Sequence, residues 1–144
     1  MTISENLQEK KMTDRGLVLC KYLDDLNIPT TEYGTNFCDN TDKRWSKWME
    51  EREIYGFDSR ETWNIDYLLV EWIYTRFKMF LERANVNLEY YKFKLDDVEI
   101  TQLQAIELIL AECERLLLNK DDAKNRFNKK VWNLIADILP HMWW

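Results

Sequence analysis

Between Arg60 and Arg76 lie the residues best suited to recognition chemistry: Arg60, Trp63, Asn64, Asp66, Tyr67, Trp72 and Arg76. They combine flat aromatic faces with charge-assisted donors, a mix that suits stacking on a base and pairing with a phosphate. The plainer alternative is that aromatics at helical spacing form core and the arginines flank it. Asp66 is the acid of the set. At about 100° per residue it falls inside the apolar face of the helix it belongs to. A buried carboxylate must be paired, since leaving it alone costs several kcal/mol. Either it is a structural acid bonded by indole N–H, tyrosine or arginine, or it is a ligand or metal contact.

Catalytic machinery is harder to find. The single histidine, His141, lies near the end of the chain, which excludes a histidine-rich zinc site and weakens any Ser-His-Asp reading. No GxGxxG or GxxxxGK[ST] phosphate loop occurs. The cysteines Cys20, Cys38 and Cys113 form no C-x-x-C pair, and their odd number fits a reducing compartment. Carboxylates that could hold Mg²⁺ for nucleotide hydrolysis are Asp66, Glu71, Asp96, Asp97, Glu99, Glu107 and Glu114. They do not form a repeated E-x-x-E and E-x-x-D pattern on one inward face. No catalytic residue, metal ligand or cofactor is therefore assigned.

The element that would position the candidate site runs from Tyr55 to Ala84. Asp58 is a good N-cap with Glu61 three residues on, and Gly56 allows a sharp entry. A helix over roughly 59–83 would be about 37 Å long. Trp63, Tyr67, Val70, Tyr74, Phe77 and Leu81 form an apolar seam widened by Leu69, Ile73, Phe80 and Ala84, and Ile65, Leu68, Trp72 and Met79 form a second one. Two apolar sides predict a central helix, with a helix that covers the core on one side and a partner on the other as the alternative.

Around it the pattern predicts four more helices. The first ends before Pro29 and presents Leu19, Tyr22, Leu23 and Leu26. Residues 29–40 read as a loop. The second helix, capped by Asn40 or Thr41, puts Trp45, Trp48, Met49 and Arg52 on one face and Lys43, Lys47, Glu50 and Glu51 on the other. Residues 85–100 read as an extended connector, with a short strand as the alternative. Thr101 and Gln104 make a capping box, with Ile100 and Ala105 as its staple, for a helix using Leu103, Ile106, Leu110, Cys113 and Leu117. The fifth helix, about 122–139, uses Ala123, Phe127, Val131, Leu134 and Ile138, beside a basic cluster of Lys120, Lys124, Arg126, Lys129 and Lys130. Pro140 stops it, and Trp143 and Trp144 are expected to tuck into the bundle or fill a partner subunit.

The fold expected is all-α: about five helices bundled around one long central helix, a single domain over 1–144 with 1–12 frayed or disordered. Only three glycines and two prolines fit long elements. A net charge of −6 disfavours generic duplex nucleic acid. Residues 1–15 are too polar for a signal peptide, and no apolar run reaches the roughly 18–20 residues of a membrane span.

The stretch GFDSRETWNIDY (56–67), followed by EWIY (71–74), resembles a signature of small uncharacterised bacteriophage and prophage proteins with Trp-rich helical C-termini. The resemblance implies a mobile-element accessory protein in the cytoplasm of a bacterial host. The expectation is a non-enzymatic binding protein that inhibits or sequesters a component of host defence. Its partner is a host protein or a small nucleotide-like ligand. The alternatives are a Mg²⁺-dependent all-α nucleotide hydrolase and a structural or assembly protein. A homo-oligomer would form through the second seam or the terminal tryptophans.

Overall fold

A computed structural model of the chain describes residues 21–27, 41–63, 65–118 and 128–144. The chain divides into two compact units, Met1–Leu69 and Val70–Trp144. Its described part is mostly helical, with one small antiparallel sheet. No described helix is long and apolar enough to cross a membrane.

The first unit contains helix α1 (Lys21–Asp25), helix α2 (Trp45–Tyr55) and a 3-10 turn (Ser59–Thr62). Tyr22 and Leu23 of α1 are buried, as the periodicity requires. The remainder of the expected first helix, the 29–40 loop and Asn40 lie outside the described residues. Helix α2 buries Trp48, with Trp45, Met49 and Arg52 partly covered beside it, and leaves Lys47 and Glu50 in solvent. Its N-terminus departs from the expected cap at 40 or 41. Arg44 occupies the cap position without a side-chain cap, and its N–H is taken by Asp42 Oδ1 at 2.8 Å. Gly56 ends α2 in the left-handed region at φ 82°, where its N–H reaches Arg52 O at 2.9 Å. That closure is the usual reason for glycine after a helix.

The long helix expected over 59–83 is broken. Asp58 and Glu61 do form the capping box, but it opens the 3-10 turn and not an α-helix. Helix α3 covers only Ile65–Arg83, and the division between the units falls within it, after Leu69. The first seam is buried at Val70, Ile73, Tyr74, Phe77 and Phe80. The second is wet: Ile65, Trp72 and Met79 are exposed. The buried arc of α3 takes in Glu71 and Thr75 instead, and Thr75 Oγ1 donates back to Glu71 O at 2.9 Å.

After α3 the second unit departs from an all-α fold. Strands β1 (Lys92–Leu95) and β2 (Val98–Thr101) pair antiparallel, Lys92 opposite Thr101 and Leu95 opposite Val98. Asp96 and Asp97 form the two-residue turn, both at positive φ, 51° and 63°. Such a turn matches the twist of a hairpin, and aspartate tolerates it better than most side chains. Phe93 points its ring inward. Lys130 Nζ holds Asp96 Oδ1 at 2.7 Å, an exposed pair.

Strand β2 runs directly into helix α4 (Gln102–Leu118), and Thr101 serves both. Its hydroxyl accepts Gln104 N–H at 3.1 Å, while its own N–H donates to Gln104 Oε1 at 2.9 Å. This is the expected capping box. Ile106, Ile109, Cys113 and Leu117 of α4 have no exposed surface. Helix α5 (Lys129–Ile138) starts at Asn128, whose Oδ1 accepts Val131 N–H at 2.9 Å, and buries Val131, Leu134, Ile135 and Ile138. Of the basic cluster, Lys120, Lys124 and Arg126 lie outside the described residues. Pro140 sits in a closing 3-10 turn, Leu139–His141.

Replacing Gly56 by alanine is expected to cost about 1 kcal/mol through backbone strain alone, because a Cβ there meets nothing within 4 Å. Thermal melts should show a clear loss for Gly56→Ala and a smaller one for Gly56→Asn. Burial, helped by the carboxylates of Glu112 and Glu114, pushes the Cys113 thiol from 9.0 up to about 12. The fold therefore favours the neutral thiol. Its contribution to stability is full below pH 9.0 and is lost as pH rises through about 12. In a Cys20→Ser, Cys38→Ser background, a thiol reagent at neutral pH should label Cys113 only after denaturant is added.

Candidate functional site

The best-defined polar cluster of the molecule lies in the first unit, where α2 turns through Gly56 into the 3-10 turn. Asp58 and Arg60 both have no exposed surface. Asp58 Oδ1 accepts the Arg60 N–H at 3.0 Å and Arg60 Nε at 2.9 Å. Asp58 Oδ2 accepts Arg60 Nη2 at 2.8 Å and Arg52 Nε at 2.7 Å. Arg52 also donates through Nη2 to Glu61 Oε2 at 3.0 Å, and that oxygen takes the Asp58 N–H at 3.1 Å. Glu51 closes the other side, accepting Ser59 N–H at 2.6 Å and Ser59 Oγ at 3.0 Å.

Aromatic rings pack against Arg60 and Arg44. The Arg60 guanidinium lies 4.6 Å from the Trp48 ring centre and 5.5 Å from that of Trp45. Arg44 lies 5.0 Å from Trp48 and 5.7 Å from Trp63. Trp63 meets Trp48 edge-on at 5.9 Å. Burial raises the Asp58 pKa, but the hydrogen bonds and charge of Arg60, with the charge of Arg52, outweigh it and hold the carboxyl below its ordinary 3.8.

The chemistry this arrangement supports is structural. Every Asp58 oxygen is engaged, and the Arg60 charge is spent on Asp58 and two indoles. Arg60 is buried in this cluster, with its Nε and Nη2 committed to Asp58. The expected burial of Asp66 is corrected: it is exposed, and its Oδ1 accepts the Tyr67 N–H at 2.9 Å. Asp66 stands in the first turn of α3, none of which is buried; burial along the helix begins only at Val70. Asn64 lies outside the described residues. Tyr67 is partly covered.

Trp72 and Arg76 belong to the second unit, one helical turn apart on α3. Trp72 is half exposed, and Arg76 is exposed with its guanidinium 5.2 Å from the Trp72 ring centre. Arg76 Nη1 donates to Thr75 Oγ1 at 2.7 Å. The structure thus joins Arg60 with Trp63 through Trp48, and Trp72 with Arg76, as two separate pairs. Among the described residues, no three His, Cys, Asp or Glu side chains are placed to hold a metal ion.

Two further groups differ from the sequence reading, one passed over by it and one placed differently. Ile54, Tyr55 and Phe57 flank Gly56 and are 63%, 66% and 48% exposed. The Phe57 ring leans on Tyr55 at 6.3 Å. Trp143 and Trp144 do not tuck in: both are 66% exposed. The anchor of the C-terminal segment is His141, whose ring packs on Tyr91 at 4.3 Å and Phe93 at 5.4 Å. Buried Gln102 donates to His141 O at 3.1 Å. No family model matches the chain, and no curated protein or solved structure matches it significantly.

Removing Asp58 strands the Arg60 charge in the interior, so Asp58→Ala is expected to cost on the order of 3–5 kcal/mol. The double variant Asp58→Ala, Arg60→Met should lose less than the two single losses combined, as chemical denaturation would show. Because the folded Asp58 carboxyl sits below 3.8, its contribution is full above that pH and is lost as pH falls through the lower folded value. In Asp58→Ala the stability decline in that acid range should flatten.

Proposed function

We propose that the chain is a non-enzymatic helical binding protein of phage or mobile-element origin. It acts in the cytoplasm of a bacterial host and occupies a protein component of host defence. The observation that carries the binding reading is the exposed Trp72–Arg76 stack on α3. Tryptophan and arginine are the residues that most often dominate protein interfaces, and a half-exposed indole already ordered by a guanidinium loses little freedom on binding. Met79 stands exposed two turns beyond Trp72 and extends the apolar strip.

A protein partner is favoured over a nucleotide-like ligand by the fate of Arg60. One of the two arginines of the candidate set is turned inward onto Asp58. The phage origin rests on the resemblance of residues 56–67 and 71–74 alone.

Full-length protein on a resin should retain a host protein that mass spectrometry identifies and that rebinds when purified. Trp72→Ala and Arg76→Ala should each weaken that purified complex by about tenfold or more. Unchanged affinity in both variants would overturn the assignment. So would Mg²⁺-dependent turnover of a nucleotide that disappears in Asp66→Asn.

A further inference from the structure

We propose that the corner Ile54–Phe57 is a second binding site, a preformed apolar knuckle that docks into an apolar pocket rimmed by lysine and arginine on a protein partner. It lies in the first unit and does not rest on the reading of Trp72 and Arg76.

Three observations carry it. The first is exposure: Ile54, Tyr55 and Phe57 are three large apolar side chains around one glycine, and each shows about half or more of its surface. Single exposed apolar residues need no explanation, but a contiguous group marks an interaction site. The second is rigidity. Gly56 is fixed in the left-handed region by its bond to Arg52 O, and the next residue but one is the fully buried Asp58. The knuckle is therefore held on one side by a backbone bond to Arg52 and on the other by the ionic bonds of Asp58 with Arg52 and Arg60. A surface ordered before binding loses less entropy when it binds.

The third observation is charge, and it selects the partner. From Glu50 to Glu61 the chain carries Glu50, Glu51, Glu53, Asp58 and Glu61 against Arg52 and Arg60, a net of −3. Both arginines point at Asp58 and Glu61, not outward. Glu53 precedes Ile54, and Glu50 stands one turn before it; both are exposed. The rim of the knuckle is thus acidic while its centre is apolar. Complementary potential then favours a basic rim on the partner. The same argument disfavours a second copy of this chain, whose net charge is −6, and a membrane surface, which is itself anionic.

The test is selection from a displayed random-peptide library on the full-length protein. Enriched peptides should join an apolar anchor to lysine or arginine, and synthetic copies should bind less tightly as salt rises. Tyr55→Ala and Phe57→Ala should each weaken such a peptide by about tenfold or more. Glu50→Lys with Glu53→Lys should weaken it too, and Trp72→Ala should not. Circular dichroism melts of these exposed-site variants should match the parent, separating lost contact from lost fold. Acidic or absent enrichment overturns the proposal, as does binding that ignores Tyr55 and Phe57. Self-association through those residues in sedimentation, or binding to anionic vesicles that depends on them, would overturn it equally.

Discussion

A guanidinium with no exposed surface dictates the first unit. Burying a lone charge costs far more than a domain can supply, so Arg60 must be met from all sides. Asp58 meets its edge with two parallel bonds, and the indoles of Trp48 and Trp45 meet its faces. To do so the chain must bring residues 58 and 60 close together, which the N-cap geometry of Asp58 at the start of the 3-10 turn achieves. The capping box, the Gly56 turn and the inward reach of Arg52 all follow from that requirement.

The inward use of the arginines also shapes what remains outside. A residue spent on an internal partner is withdrawn from ligands, and its removal exposes the character of its neighbours. Around Gly56 those neighbours are aromatic, aliphatic and acidic. The candidate functional chemistry of the first unit is therefore apolar and negatively rimmed, although its sequence reads as rich in cationic donors.

The second unit rests on a different device. A short hairpin hands the chain to α4 through Thr101, which ends a strand and caps a helix with the same backbone and side-chain groups. Gln102, buried at the start of α4, then reaches across to the carbonyl of His141, while the imidazole packs on Tyr91 and Phe93. Two polar contacts from Gln102, to the His141 carbonyl and the Met142 sulfur, and two ring contacts hold this segment, leaving the last two tryptophans in solvent. Tyr74 of α3 joins this unit through its hydroxyl, which donates to Glu114 at 2.9 Å.

Local rules determined much of this from the sequence by itself. The capping boxes at Asp58 and Thr101, the buried faces of α4 and α5, and the first seam of α3 all depend on residues within a few positions of one another. The hairpin carried a weaker local signal. Alternation over 92–95 and 98–101 surrounds an Asp-Asp pair, which lacks the glycine that usually marks such a turn. What only the tertiary structure decided was the direction in which ambiguous side chains turn. Arg60 and Glu71 go in, while Trp72, Met79, Trp143 and Trp144 stay out. Periodicity registers which side chains share a face; it does not register whether another segment arrives to cover that face. Nor can it tell that a cation has a carboxylate and two indoles waiting for it, because those partners are assembled by the turn itself.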